Sequence, residues 1–138
     1  MRQVDGDKFV CMDNMVTGAP CLIYSFGVAD DWTFEDFMVH FGCKIHAYDP
    51  TVHYPPERGS NINFYKKGLS GAKSDTTDTL ANILAENGHT DTVVEYLKID
   101  IEEHELAGLP DWIATGALKN VNQLAMELHL TKLHEPPK

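Results

Sequence analysis

Residues 21–50 read CLIYSFGVADDWTFEDFMVHFGCKIHAYDP, and three signals follow one another along them. Residues 21–26 form a brief apolar, β-prone run that stops at Gly27, as suits a strand buried on both faces. Phe34, Phe37, Met38 and Phe41 then recur at i, i+3, i+4 and i+7, with Glu35, Asp36 and His40 between them, which predicts an amphipathic helix. Thr33 with Asp36 three residues on resembles a capping box, and Gly42 supplies the stop. Residues 43–48 lead to Asp49-Pro50, where a residue without an N–H ends a second strand. Strand, helix and strand within about thirty residues make a βαβ unit, so the two strands are expected to run parallel.

Working outward, residues 51–60 carry Pro55-Pro56 and Arg58-Gly59 and read as an exposed loop bordering a site. Residues 61–65 predict a short third strand and residues 66–74 a loop. Thr77 or Asp78 is placed to cap a helix carrying Leu80, Ile83 and Leu84, which Asn87-Gly88 ends. A fourth strand over 93–101 is rich in branched and aromatic residues. A helix with Leu106, Leu109, Trp112 and Ile113 follows, kinked or divided at Pro110, and 122–130 reads as a fifth strand. Phe9 to Met12 suggest a short edge strand within a lead-in, residues 1–20, which Gly6, Gly18 and Pro20 punctuate. Pro136-Pro137 closes the chain. Strands alternating with helices predict an α/β fold with a doubly wound, parallel sheet, in a single domain over 1–138.

The chain of 138 residues is 43% hydrophobic and 23% charged, close to a globular average. Its formal charge of −10 opposes nucleic-acid binding, which rests on neutralising phosphates. No apolar run reaches the roughly 18 to 20 residues of a membrane span, and residues 1–8 are too charged for a signal peptide. Cys11, Cys21 and Cys43 are odd in number with no CxxC, so buried free thiols are expected, with Cys11–Cys21 as the bridge an oxidising compartment would favour.

In doubly wound sheets ligands bind outside the carboxyl ends of the strands, where the strand order reverses. Gly27 lies at such an end and would let the backbone approach a ligand. Both GxGxxG and the P-loop pattern are absent, against NAD and ATP, and no GxSxG nucleophile elbow occurs. Asp49 follows Gly27 by 22 positions, the spacing of an acid that accepts from ribose hydroxyls; an Asp-Pro turn is the alternative. Asp100 falls on an apolar strand, where a carboxylate is costly unless it serves a ligand or partner. Glu102, Glu103 and Glu105 would also complement the start of the next helix. Asp30, Asp31, Asp49, Asp100, Glu102, Glu103 and Glu105 map to one acidic rim, suited to a cationic ligand. The seven histidines, among them His46, His53, His104 and His129, show no metal-ligand spacing, so no metal is expected, and a divalent ion held by Asp100 and a neighbour stays as an alternative without support.

Taken in order, the 21–51 stretch, INFYKKGLSG, LKIDIEEHE and GALKNVNQLAMELHL resemble the animal methyltransferase-like family, relatives of the FkbM-type S-adenosylmethionine-dependent methyltransferases. The likeness runs from about Gly6 to Leu130. It implies a Rossmann-like, mostly parallel sheet of the class I methyltransferase type, here shortened after strand five. By the same resemblance, Ser25, Phe26 and Gly27 stand at the cofactor loop and Asp49 at the ribose acid. Gly68, Leu69 and Ser70 lie beside the adenine, and Asp100 and Glu102 near the methionine moiety and the acceptor. S-adenosylmethionine, whose sulfonium suits the acidic rim, would donate a methyl to a hydroxyl or amine of a small-molecule or carbohydrate acceptor, with Asp100, His104 or Glu127 as general base. The alternative is a catalytically inactive methyltransferase-like domain serving as a binding module, its exposed sheet edge open to a second copy. Cytosolic and secretory-lumen locations both stand.

Overall fold

The structure is a computed structural model that describes residues 8–12, 20–53, 55 and 57–130. Gly6, Gly18, Pro56 and Pro136-Pro137 lie outside the described residues. The elements run β1 (Cys21–Phe26), α1 (Thr33–Val39), β2 (Cys43–Tyr48), β3 (Ile62–Tyr65), β4 (Gly68–Leu69), β5 (Thr77–Asp78), α2 (Leu80–Glu86), β6 (Tyr96–Ile99), α3 (Glu105–Ala114) and β7 (Leu124–Met126). Five strands form one sheet in the order β3-β2-β1-β6-β7, every pair parallel. Numbered within that sheet alone the order is 3-2-1-4-5, the doubly wound arrangement, with its reversal beside β1.

β1 is the central strand, which is why Leu22 to Phe26 are all buried and the apolar run shows no polar face. Alternate residues serve opposite cores. Leu22, Tyr24 and Phe26 pack with Leu80, Ile83 and Leu84 of α2 and Trp112 of α3. Ile23 packs on the other side with Ile45, Tyr96, Trp32 just before α1 and Met38 within it. His46, on β2, is a core residue: burial pushes its imidazole down to about 4, and it meets the Tyr65 hydroxyl at 3.0 Å.

Several local expectations are corrected. α1 turns Phe37 outward, 56% exposed, and buries Glu35 and Met38, and it ends at Val39, before Phe41, which is 47% exposed. The reason lies on β6, whose Lys98 ammonium meets Glu35 Oε1 at 3.1 Å inside the fold. Thr33 does not cap α1; its N–H and hydroxyl bond Asp31 Oδ1 at 3.0 and 2.6 Å, and Trp32 holds the cap position. Thr77 and Asp78 pair with Gly68 and Leu69, so the cap of α2 passes to Thr79, whose side chain accepts from Asn82 N. The fourth and fifth strands contract to Tyr96–Ile99 and Leu124–Met126, with an isolated Val94–Val121 bridge upstream. Pro110 sits inside α3 and does not divide it. Phe9 to Met12 form no strand; Phe9 instead accepts from the Tyr96 hydroxyl through its carbonyl, and the Cys11 backbone pairs with the Gln123 side chain.

The cysteines differ most from expectation. Cys21 and Cys43 are register partners on β1 and β2, 4.4 Å apart at Cα, and form a disulfide, while Cys11 is free and exposed. Parallel pairing, not sequence spacing, brings the two sulfurs together. Closing a loop of 22 residues stabilises the fold by about 3 kcal/mol in the chain-entropy account. Reduction with dithiothreitol is therefore expected to lower the melting temperature by roughly 10 °C. Superimposed melting curves with and without reductant would show that the bond contributes nothing.

Candidate functional site

The carboxyl ends of β1, β2 and β6 open into one cavity of about 380 Å³. Its walls include Gly27 after β1, Asp49, Pro50 and Thr51 after β2, Gly68, Leu69 and Thr77 from the small ribbon, and Asp100, Ile101, Glu102 and His104 after β6. The volume falls in the usual range for small-molecule sites, roughly 300 to 1,000 Å³. Gly27 is what lets the loops close. It has φ +82, and a Cβ there would stand 1.6 Å from the Asp100 carbonyl oxygen. Backbone bonds from Gly27 N to Tyr48 O (2.9 Å) and from Asp100 N to Phe26 O (3.0 Å) hold the three strand ends together.

Asp49 joins the two loops on its side. Its Oδ2 accepts from Ala29 N at 2.8 Å, and its Oδ1 from Thr51 N and Oγ1 at 2.7 and 2.6 Å. Burial acts to raise its proton affinity, but these hydrogen bonds, led by the Thr51 hydroxyl, hold the carboxyl below its ordinary value, so it stays ionised. Across the cavity Asp100 shifts the opposite way, raised by burial and by the neighbouring Glu127 carboxylate. Lys8 offsets part of that charge, 3.9 Å from Asp100 Oδ2 and 3.3 Å from Glu127 Oε2. Among the described residues, three non-glycine residues adopt positive φ, Ala29 (49°), Glu102 (52°) and Glu103 (71°), and they sit in the loops that follow β1 and β6. Strain of this kind concentrates at functional sites.

A family model described as a methyltransferase domain matches residues 1–136. The chain belongs to this methyltransferase domain family. Probable methyltransferase-like protein 24 of Homo sapiens is 30% identical over 139 residues, covering 88% of this chain and 37% of the relative. The protein of the same name in Rattus norvegicus is 29% identical over 139 residues, covering 88% of this chain and 38% of its own length. The chain thus spans 37–38% of the length of these curated relatives. No solved structure matches it significantly.

Within this methyltransferase domain, Gly27, Asp49, Gly68, Leu69, Asp100, Glu102 and His104 all line the one cavity. Other predicted residues lie elsewhere. Ser25 is fully buried on the α1 side, where its hydroxyl donates to Glu35 Oε1. The Phe26 ring belongs to the core beneath α2, 5.0 Å from the Tyr48 ring. The Ser70 carbonyl accepts from Trp112 Nε1 at 3.2 Å, away from the cavity walls. Glu127 stands beyond Asp100, bonded to Lys8. Glu105 leaves the acidic rim altogether: it is 0% exposed, and its Oε1 accepts from Ile101 N at 3.0 Å and meets His129 Nδ1 at 2.9 Å. Sequence reading missed Thr51, although an Asp bonded to the backbone two residues on is a familiar turn pattern that could have found it. Lys8 and His129 gave no local signal, since their partners stand far away in the chain.

Proposed function

We propose that this domain transfers a methyl group from S-adenosylmethionine to a hydroxyl or amine of a small-molecule or carbohydrate acceptor. The observation that carries the reading is the meeting of Gly27, Asp49, Gly68, Leu69 and Asp100 around one cavity at the reversal of strand order. Bound there, the cofactor supplies an activated methyl group on a sulfonium. Gly27 leaves the backbone bare where a Cβ would block the loop. Asp49 Oδ1 is taken by the Thr51 N–H and hydroxyl, while Oδ2, which accepts from Ala29 N, is the oxygen that would take a ribose hydroxyl. Gly68 and Leu69 form an apolar wall for the base. Asp100 and Glu102 favour the cationic end by charge. Asp100, whose proton affinity is raised, and His104, which also lines the cavity, are the groups placed to take a proton from an acceptor hydroxyl. Positioning supplies most of the rate, because the methyl carbon already carries a good leaving group.

A second reading has its own support. Leu124, Leu128 and Leu130, at and beyond the β7 edge, are 43–47% exposed, as a catalytically silent binding module pairing with another chain would need. Calorimetric titration with S-adenosylmethionine and S-adenosylhomocysteine separates the two. Binding that weakens at least about tenfold in Asp49→Ala is expected, from the loss of a hydrogen bond to a charged group. Absence of binding at millimolar ligand would overturn the enzyme reading and leave the module.

A further inference from the structure

We infer that His129 is a positioning residue, which together with Lys8 holds the Asp100 carboxylate charged and oriented at the edge of the cavity. Strand register brings the groups together. Ile99 and Met126 are parallel partners on β6 and β7, and Asp100 and Glu127 follow them by one residue. Glu127 N donates to Ile99 O at 2.9 Å and Asp100 N to Phe26 O at 3.0 Å, so both carboxylates spring from pinned backbone. Around them four groups close a ring. Lys8 Nζ stands 3.9 Å from Asp100 Oδ2 and 3.3 Å from Glu127 Oε2, and His129 Nε2 stands 3.8 Å from Asp100 Oδ1 and 3.7 Å from Glu127 Oε1. Each carboxylate meets both bases through different oxygens, which restrains how it can turn.

Glu105 is what makes His129 a cation. This carboxylate is buried, and its Oε1 meets His129 Nδ1 at 2.9 Å while accepting from Ile101 N at 3.0 Å. The hydrogen bond to Glu105, followed by the charges of Glu105, Glu102 and Asp100, raises the imidazole above its ordinary value against the effect of burial. Fixing Nδ1 also orients the ring and turns Nε2 towards Asp100 and Glu127. Glu102 Oε2 approaches Nε2 as well, at 3.5 Å, but its side chain is 83% exposed and water screens it.

Burial and the Glu127 charge raise the proton affinity of Asp100, and Lys8 and His129 act against them. Two cations facing two carboxylates balance. Without His129, one ammonium would serve both, and like charges this close take up a proton between them. The role assigned to His129 rests on the proposed methyl transfer, in which a charged Asp100 favours the sulfonium and takes the acceptor proton.

Carbon-13 NMR of the full chain labelled at its aspartate carboxyls reads the titration of Asp100, assigned by the signal missing from Asp100→Asn, and proton NMR reads the His129 imidazole. In His129→Gln the Asp100 midpoint is expected to rise by at least about one pH unit, roughly tenfold in proton affinity. His129→Lys, which restores a cation, should bring it most of the way back. The His129 midpoint should in turn fall in Asp100→Asn, because coupling between two sites acts on both. A packing role would move neither midpoint. Calorimetry supplies the functional reading: the pH at which the chain loses its preference for S-adenosylmethionine over S-adenosylhomocysteine should follow the Asp100 midpoint upward in His129→Gln. Circular dichroism identifies a variant that fails to fold, and if His129→Gln is one, the His129 midpoint in Asp100→Asn decides. Midpoints that stay in place in folded variants, or a cofactor preference that does not follow Asp100, overturn the role of His129 alone. Failure to bind either compound at any pH overturns the methyl-transfer reading and the role with it.

Discussion

Gly27→Ala is expected to destabilise the protein by roughly 3 to 5 kcal/mol, the sum of a left-handed backbone at a residue with a Cβ and of overpacking. The added carbon would lie 1.6 Å from the Asp100 carbonyl oxygen and 2.6 Å from its carbon. Both are backbone atoms, so no rotamer change relieves the clash. Relief requires the end of β6 to move away from β1, where Phe26 and Ile99 are register partners and Asp100 N donates to Phe26 O. That movement would pull apart two walls of the cavity, so ligand binding should vanish with the stability. Urea unfolding of parent and variant measures the cost. A loss under about 1 kcal/mol, within the range of ordinary substitutions, would mean that the two loops do not meet as described.

Lys98→Met should cost about 3 to 5 kcal/mol, the penalty for leaving a buried charge without its partner. Lys98 and Glu35 are 7% and 0% exposed at their side chains, and Glu35 Oε2 already lacks a partner among the described residues. Without the ammonium, Glu35 retains only the Ser25 hydroxyl from the contacts made at its Oε1. Glu35→Leu with Lys98→Met together should recover most of the loss, because replacing both members of a buried pair by apolar groups is often near neutral. A double-mutant cycle on unfolding free energies reads this coupling. Strict additivity of the two single changes would sink the idea that the pair acts as a unit. The prediction bears on function as well, since the pair ties α1 to β6 beneath the loop that carries Gly27 and Ala29.

The site was legible in proportion to how local its signals are. Gly27, Asp49 and Asp100 each end a strand whose residues announce it, and the doubly wound arrangement then places such ends side by side. Ser25 shows where this reasoning fails. It stands two residues before Gly27 and shares the motif, yet strand alternation turns its hydroxyl to the α1 face, towards Glu35. Phe26 likewise belongs to the core. Glu105 falls in sequence within the acidic rim, but as the first residue of α3 it turns inward to Ile101 N and His129.

Patterns confined to a few residues, the apolar run of β1, the stop at Gly27 and the Asp49-Pro50 boundary, were enough to establish a parallel α/β sheet and where β1 and β2 end. They reflect backbone geometry within one segment, which the residues of that segment control. The Cys21–Cys43 bond, the Glu35–Lys98 pair 63 residues apart and the approach of His129 to Asp100 and Glu105 emerged from the folded chain alone. Each depends on the register between strands or on which face of a helix meets the sheet. Those choices are set by the packing of all the segments at once, and no single segment carries them.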